Sequence, residues 1–400
     1  MKHPIQKLAY DPHSKALYLA VSERIQKFNS VTGDLINEWI PPTPQVDKDP
    51  EEQKKKKKKT KTEDNKHNFF RTLTCSPDGQ YVVGSTDEQK SLVVLRADLS
   101  VVNIRNFPKR PSAIDITSDS STVLLGDKFG DVYAVPIRDI AYPPTAGLSR
   151  ISEVSESESG GELDPILGHV SMLVDLLVTE DERGLRHIIS SDRDEHIRVT
   201  KYPESYVIEA FCLGHEQYVS QLLIPSWSPN TLISGGGDDF LAHWDWTTGE
   251  LLEKVDIHSI LYPESDKNGS EEQIAEVAVS GIWQVPELHL VLAYDETAKL
   301  LLVFKLHKEA RQLEYINKFS SNILDVAVTG EDGKVWLSID DTSDSNPLIQ
   351  KYLISEKGGF TVIDSEITQR IFDKASFTIA SRDDVVALHS IALLRKHAEH

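Results

Sequence analysis

Short apolar runs recur along the whole chain, each bounded by Gly, Asp, Ser or Pro. Tyr81-Val-Val, Leu92-Val-Val-Leu, Thr122-Val-Leu-Leu, Val132-Tyr-Ala-Val, His187-Ile-Ile, Leu290-Val-Leu-Ala and Leu300-Leu-Leu-Val-Phe are rich in β-branched residues. Runs this short, between turn formers, predict strands rather than helices. Ser76-Pro-Asp-Gly79 is a turn tetrapeptide, with proline presetting φ and glycine accepting a positive φ. No apolar run approaches the ~18 residues of a membrane span.

The strands repeat on a fixed period. Gly168-His169 and Gly214-His215 stand 46 residues apart, close to the ~40–45-residue spacing of WD-type propeller blades. An aspartate stands five residues before an apolar strand at Asp87, Asp127, Asp192 and Asp295. In the blade ending in Trp244-Asp245 that position is Gly236, and Asp238 sits three residues before Leu241, as Asp194 sits three before Ile197. Val31-Thr-Gly-Asp-Leu35 and Thr247-Thr-Gly-Glu-Leu251 are matching polar turns. Together these marks predict an all-β, seven-bladed WD-type propeller over residues 1–380, with blades near 5–40, 67–107, 111–140, 168–212, 214–256, 274–318 and 320–370.

Two inserts interrupt the repeats. Residues 41–66 carry Pro-Pro-Thr-Pro and six consecutive lysines, Lys54 to Lys59, with almost nothing to bury, so a disordered loop is expected. The lysine run reads as a nuclear-import signal, as a phosphate-binding arm or simply as a solvated loop, and the nucleus is the expected location. Residues 142–165 form an acidic, serine-rich insert with the composition of a flexible spacer. The tail, 381–400, has a helical pattern: Ser381 can cap, Asp383 and Asp384 suit the first turn, and Arg395, Lys396 and His397 suit the last.

Catalytic chemistry is hard to find. Ser234, Asp238 and His215 have the residue types of a nucleophile triad, but WD-type blades use the same types in a buried hydrogen-bond network. His169, His215, Asp194, Asp238 and Trp244 are assigned to that network. No metal-ligand spacing, phosphate loop or cofactor fingerprint is present, so neither a cofactor nor a metal is expected. Cys75 and Cys212 are too few for a disulfide framework and read as buried thiols of a reducing compartment.

What remains is a surface. The net charge of −20 disfavours non-specific binding of nucleic acid. Against it, one group of cations is predicted to gather on one face: Lys109, Arg110, Lys128, Arg193 and Arg198, interleaved with Asp131, Asp192, Asp194 and Glu195. In an antiparallel four-stranded blade, the turn between strands two and three and the link to the next blade emerge on the same side.

Ser191-Asp-Arg-Asp-Glu-His-Ile-Arg-Val-Thr-Lys-Tyr-Pro203, followed by Phe211-Cys-Leu-Gly-His215 and Tyr218-Val-Ser220, resembles the WD-repeat, non-catalytic subunit of the eukaryotic tRNA (guanine-7) methyltransferase. Gly126-Asp-Lys-Phe-Gly-Asp-Val-Tyr133 is similar to the same family, and the match is dense over residues 105–245. The resemblance implies a non-enzymatic chain that binds and stabilises a separate S-adenosylmethionine-dependent methyltransferase. That partner forms 7-methylguanosine in the tRNA variable loop. It also implies that Arg198 carries an ion pair to the partner, with Asp192, Arg193, Glu195 and Lys128 around it, and that Lys109 and Arg110 make a tRNA or rim contact. The alternatives are a general WD scaffold, such as a ubiquitin-ligase substrate receptor, and an enzyme built on a propeller. Trp244-Asp245 continues as Trp-Thr-Thr and lacks the Trp-Asp-x-Arg string of many such receptors.

Overall fold

A computed structural model describes residues 2–41, 68–137, 163–263, 276–341, 347–375, 379 and 391–396. They form seven antiparallel sheets of four strands, each sheet in sequential strand order. The blades span residues 7–39, 70–106, 111–168, 173–212, 219–256, 279–320 and 323–363. The first strands of neighbouring blades touch one another around the whole ring, so they line its axis. Second strands are buried over nearly their whole length, as in Ala16–Val21 and Thr231–Gly236, because both their faces pack against adjacent blades. Fourth strands, such as Ile208–Cys212, form the half-exposed outer edge.

The third blade runs further than its sequence marks show. Its outer strand, Leu167–Gly168, follows the acidic insert and pairs with Asp131 and Val132. Gly168 therefore closes blade three rather than opening blade four, and the boundary predicted at residue 140 is corrected to 168. The lysine run and all but the last few residues of the acidic insert lie outside the described residues.

The last blade ends at Ile363, and the helix Ser365–Ala375 follows within the span expected to be blade. Among the described residues no strand is shared between the first and last blades. The seam is held instead by this helix. Ile371, Phe372 and Ala375 pack with Leu17, Leu19 and Phe28 of blade one and Trp336 and Ile349 of blade seven. Arg370 donates to the Thr32 carbonyl at 2.8 Å, and Lys2 Nζ lies 3.7 Å from the centre of the Phe372 ring. Of the helix predicted over 381–400, only 391–396 are described; they contain a 3-10 turn, Ile391–Leu394, and the residues expected to cap the helix lie outside.

Three carboxylates of the inner strands stitch one blade to another. Asp115 accepts from the Val178 N–H, Asp175 from Leu222 and Asp325 from Leu8, each at 2.8 Å. Burial pushes the Asp115 carboxyl up to about 6 and that of Asp175 up to about 7. A raised value in the folded chain means that the fold holds protons the unfolded chain has released. These two groups therefore make stability fall as pH rises from the ordinary 3.8 to about 7, with no further change above. Asp175→Asn cannot titrate, so its urea midpoint should drop less between pH 5 and pH 7.5 than that of the parent. An unchanged pH slope would show that Asp175 does not carry the effect. Both thiols are free, and burial pushes Cys212 up to about 12, which leaves it unreactive in the folded chain.

Candidate binding face of the ring

In blades three, four and six the turn between the second and third strands is organised by the aspartate that opens it. Asp127 Oδ1 accepts from the N–H groups of Phe129, at 2.7 Å, and Asp131, at 3.3 Å. Asp192 Oδ1 does the same for Asp194, at 2.8 Å, and His196, at 3.1 Å. The five-residue spacing in the sequence is this turn: a buried carboxylate satisfying N–H groups that no strand can reach. At Gly130 φ is +98°, and a Cβ there would stand 2.4 Å from the His169 carbonyl oxygen, so the turn of blade three and the link to blade four meet where only glycine fits.

Beneath the turns lies the polar network. In blade five, His215 Nδ1 is 2.7 Å from Asp238 and its Nε2 is 2.7 Å from Ser234 Oγ, which also accepts from Trp244 Nε1 at 2.8 Å. All four side chains are buried, so the arrangement ties strands together and offers no approach to a substrate. In blade four, His169 reaches Asp192 at 2.9 Å and Ser190 at 2.7 Å. The carboxylate of this network is thus Asp192, not Asp194, which corrects the sequence assignment of both. Burial raises the Asp192 carboxyl, but the His169 bond and the His196 N–H outweigh it and hold the group below its usual value. Asp192 fixes the turn from inside. Thr200 takes the place that Trp244 has in blade five, ten residues after the serine, and its hydroxyl has no partner.

The cations are brought together only in part. Lys128 N–H donates to the Arg110 carbonyl at 3.0 Å, joining the link and turn of blade three. Lys109 Nζ lies 4.0 Å and Lys128 Nζ 5.6 Å from the centre of the Phe129 ring. Arg110 turns inward instead: it and Arg71 both bind Asp87, at 3.0 Å and 2.6 Å. That clamp ties blade two to the link into blade three, so Arg110 has a structural task. Arg193 is also engaged, its Nε donating to the Leu394 carbonyl of the tail at 2.8 Å. Asp194 pairs with Lys396 at 2.8 Å, and Ala392 N–H donates to Glu296 at 2.8 Å, so residues 391–396 cross from the turn of blade six to that of blade four. The tail's Lys396 is the main reason the Asp194 carboxyl stays below its ordinary value. Glu195, at the tip of the turn, adopts φ +75°.

Arg198 differs from these. Its Nη1 donates to the Gly168 carbonyl at 3.0 Å, while Nε and Nη2 have no hydrogen-bond partner. It makes no ion pair among the described residues. Burial lowers its pKa; the one acid that opposes this is Asp192, already committed to His169. Around it lies an apolar rim absent from the sequence reading. Phe211 is its cross-strand neighbour, and Val170 and Leu213 occupy the links on either side of the blade; all three are exposed. A half-buried cation with no ion pair among the described residues, set beside exposed apolar side chains, is the make-up of a protein-binding anchor.

This is a seven-bladed WD-repeat propeller whose exposed chemistry is that of a binding surface. Residues 17–160 and 146–352 match the family described as "tRNA methyltransferase TRM82 WD40 domain", and the chain belongs to that family. Its curated relatives include proteins named tRNA (guanine-N(7)-)-methyltransferase non-catalytic subunit TRM82. That of Debaryomyces hansenii is 29% identical over 100% of both chains. That of Eremothecium gossypii is 31% identical over 84% of this chain and 75% of its own, and that of Saccharomyces cerevisiae 29% over 84% and 77%. Like them, the chain is a non-catalytic subunit. Among solved structures, that of U3-55K superposes with a TM-score of 0.59 at 15% identity, covering 84% of this chain and 88% of its own, a likeness of fold alone.

Proposed function

We propose that this chain binds an S-adenosylmethionine-dependent tRNA methyltransferase as the non-catalytic half of a heterodimer, and holds it in the form that makes 7-methylguanosine in the tRNA variable loop. The observation that carries the reading is Arg198: a half-buried guanidinium with no ion pair among the described residues, its Nε and Nη2 enclosed without a partner, set beside the exposed Val170, Phe211 and Leu213. A carboxylate of the catalytic subunit would pair with it once the guanidinium turns outward from the pocket that encloses Nε and Nη2. Such a bidentate pair suits arginine and is not reproduced by lysine. Asp192 supports the site from below, and Glu195 presents a charge beside it. Arg193 is bonded to the tail, which puts residues 391–396 next to the same contact. Lys109 and Lys128 lie one blade away, and their proposed role is to meet tRNA carried by the complex. The names of the relatives, all non-catalytic subunits of a tRNA methyltransferase, support the same partner. Reconstituting the two subunits with tRNA, as set out below, tests the reading.

A further inference from the structure

We infer that Phe129 is a stacking platform for an unpaired base of the RNA held by the complex, with Lys109 and Lys128 beside it for the adjoining phosphates; this rests on the tRNA reading above. The fold does not need the ring. The turn is closed by Asp127 Oδ1 and by the main-chain bond from Gly130 N–H to the Asp127 carbonyl at 3.0 Å. Phe129 belongs to no hydrophobic cluster and is 54% exposed. A single exposed apolar residue is ordinary. Here, however, two separate segments bring a cation to the same ring: Lys109 from the link before blade three and Lys128 from the turn itself. Neither lysine makes an ion pair among the described residues. Of the neighbouring acids, Asp87 is taken by Arg71 and Arg110 and Asp127 by the turn, which leaves the Asp131 carboxylate as the one uncommitted acid of the turn against two uncommitted lysines.

On a chain of net charge −20, RNA can settle only where uncommitted cations outnumber free acids. An aromatic face between two ammonium groups matches one nucleotide: the base stacks on the ring, and a lysine that leaves the ring meets the phosphate. The Arg198 site has a different make-up, one cation within an apolar rim, and suits a protein surface. The two sites stand on adjacent blades of one face, so the catalytic subunit and RNA can be held together.

The test uses the heterodimer of this chain with its catalytic subunit and an unmodified tRNA transcript. Phe129→Ala and Phe129→Leu should each weaken tRNA binding about fivefold or more, the low end of what one base stack contributes. Phe129→Tyr should restore it, and co-purification of the two subunits should be unchanged throughout. Lys109→Ala should reduce the slope of log affinity against log salt by about 0.7 to 0.9, the value for one lost phosphate contact. Full affinity in Phe129→Ala would overturn the inference. So would equal affinity in the leucine and tyrosine variants, which would mean apolar contact without stacking, or loss of the heterodimer, which would assign Phe129 to the protein interface. If the unaltered chain forms no heterodimer, the reading it rests on fails first, before any variant is compared.

Discussion

Truncating Ile371 to alanine is expected to destabilise the propeller by about 2–5 kcal/mol, the cost of removing a large aliphatic side chain from a packed core. The residue is fully buried between the first and last blades. The ring has no strand shared across this seam, so the helix Ser365–Ala375 holds it together with the Asp325 bridge to the Leu8 N–H. A cavity under the helix weakens the joint between the first and last blades, which are far apart along the chain. The variant should shift the urea midpoint strongly, whereas Gln369→Ala, on the exposed side of the same helix, should stay within about 0.5 kcal/mol of the parent. Equal midpoints for Ile371→Ala and the parent would mean that the helix is an ornament on a ring closed by other means.

The second large effect is at the interface. Arg198→Glu should lower affinity for the catalytic subunit at least about 30-fold while leaving the circular dichroism of the free chain unchanged. In the free chain the side chain makes one hydrogen bond, to the Gly168 carbonyl, so little folding energy is at stake. In the complex the change sets one carboxylate against another. Losing a desolvated, hydrogen-bonded charge pair costs about 2–5 kcal/mol, and each 1.4 kcal/mol is a factor of ten. A partner with the charge reversed should recover part of the loss. Affinity equal to that of the parent would remove Arg198 from the interface.

The propeller is legible in the sequence because its signals are local: β-branched runs, and an aspartate that opens several of the turns. The closing helix is not, since Ser365–Ala375 carries only one buried stripe, and half of the matching surface comes from blade one, more than three hundred positions away. The outer strand of blade three is two residues long and follows a long insert, too little pattern to place. The network carboxylate shows how a count can mislead. Counted back from the third strand, Asp194 matches Asp238. Counted on from the histidine, Asp192 matches it, and both pairs are 23 residues apart. The turn of blade five is longer between its serine and its aspartate, so only the count from the histidine preserves the geometry. Arg198 stands out in its charged string, but that Arg193 and Asp194 are bonded to the tail depends on the distant residues 394 and 396. The rim has a sequence signal too: Val170 and Leu213 are apolar residues in polar links, and Phe211 lies on an outer strand.

The central claim is that this chain enables a methyltransferase without doing the chemistry itself. It is tested by transfer of labelled methyl groups from S-adenosylmethionine to an unmodified tRNA transcript. Three samples are compared: this chain alone, the catalytic subunit alone, and the two co-expressed and co-purified. The account predicts no transfer by this chain, and from the pair 7-methylguanosine at the variable loop well above what the catalytic subunit gives alone. Transfer by this chain alone, or a catalytic subunit that neither binds it nor gains from it, would contradict the account.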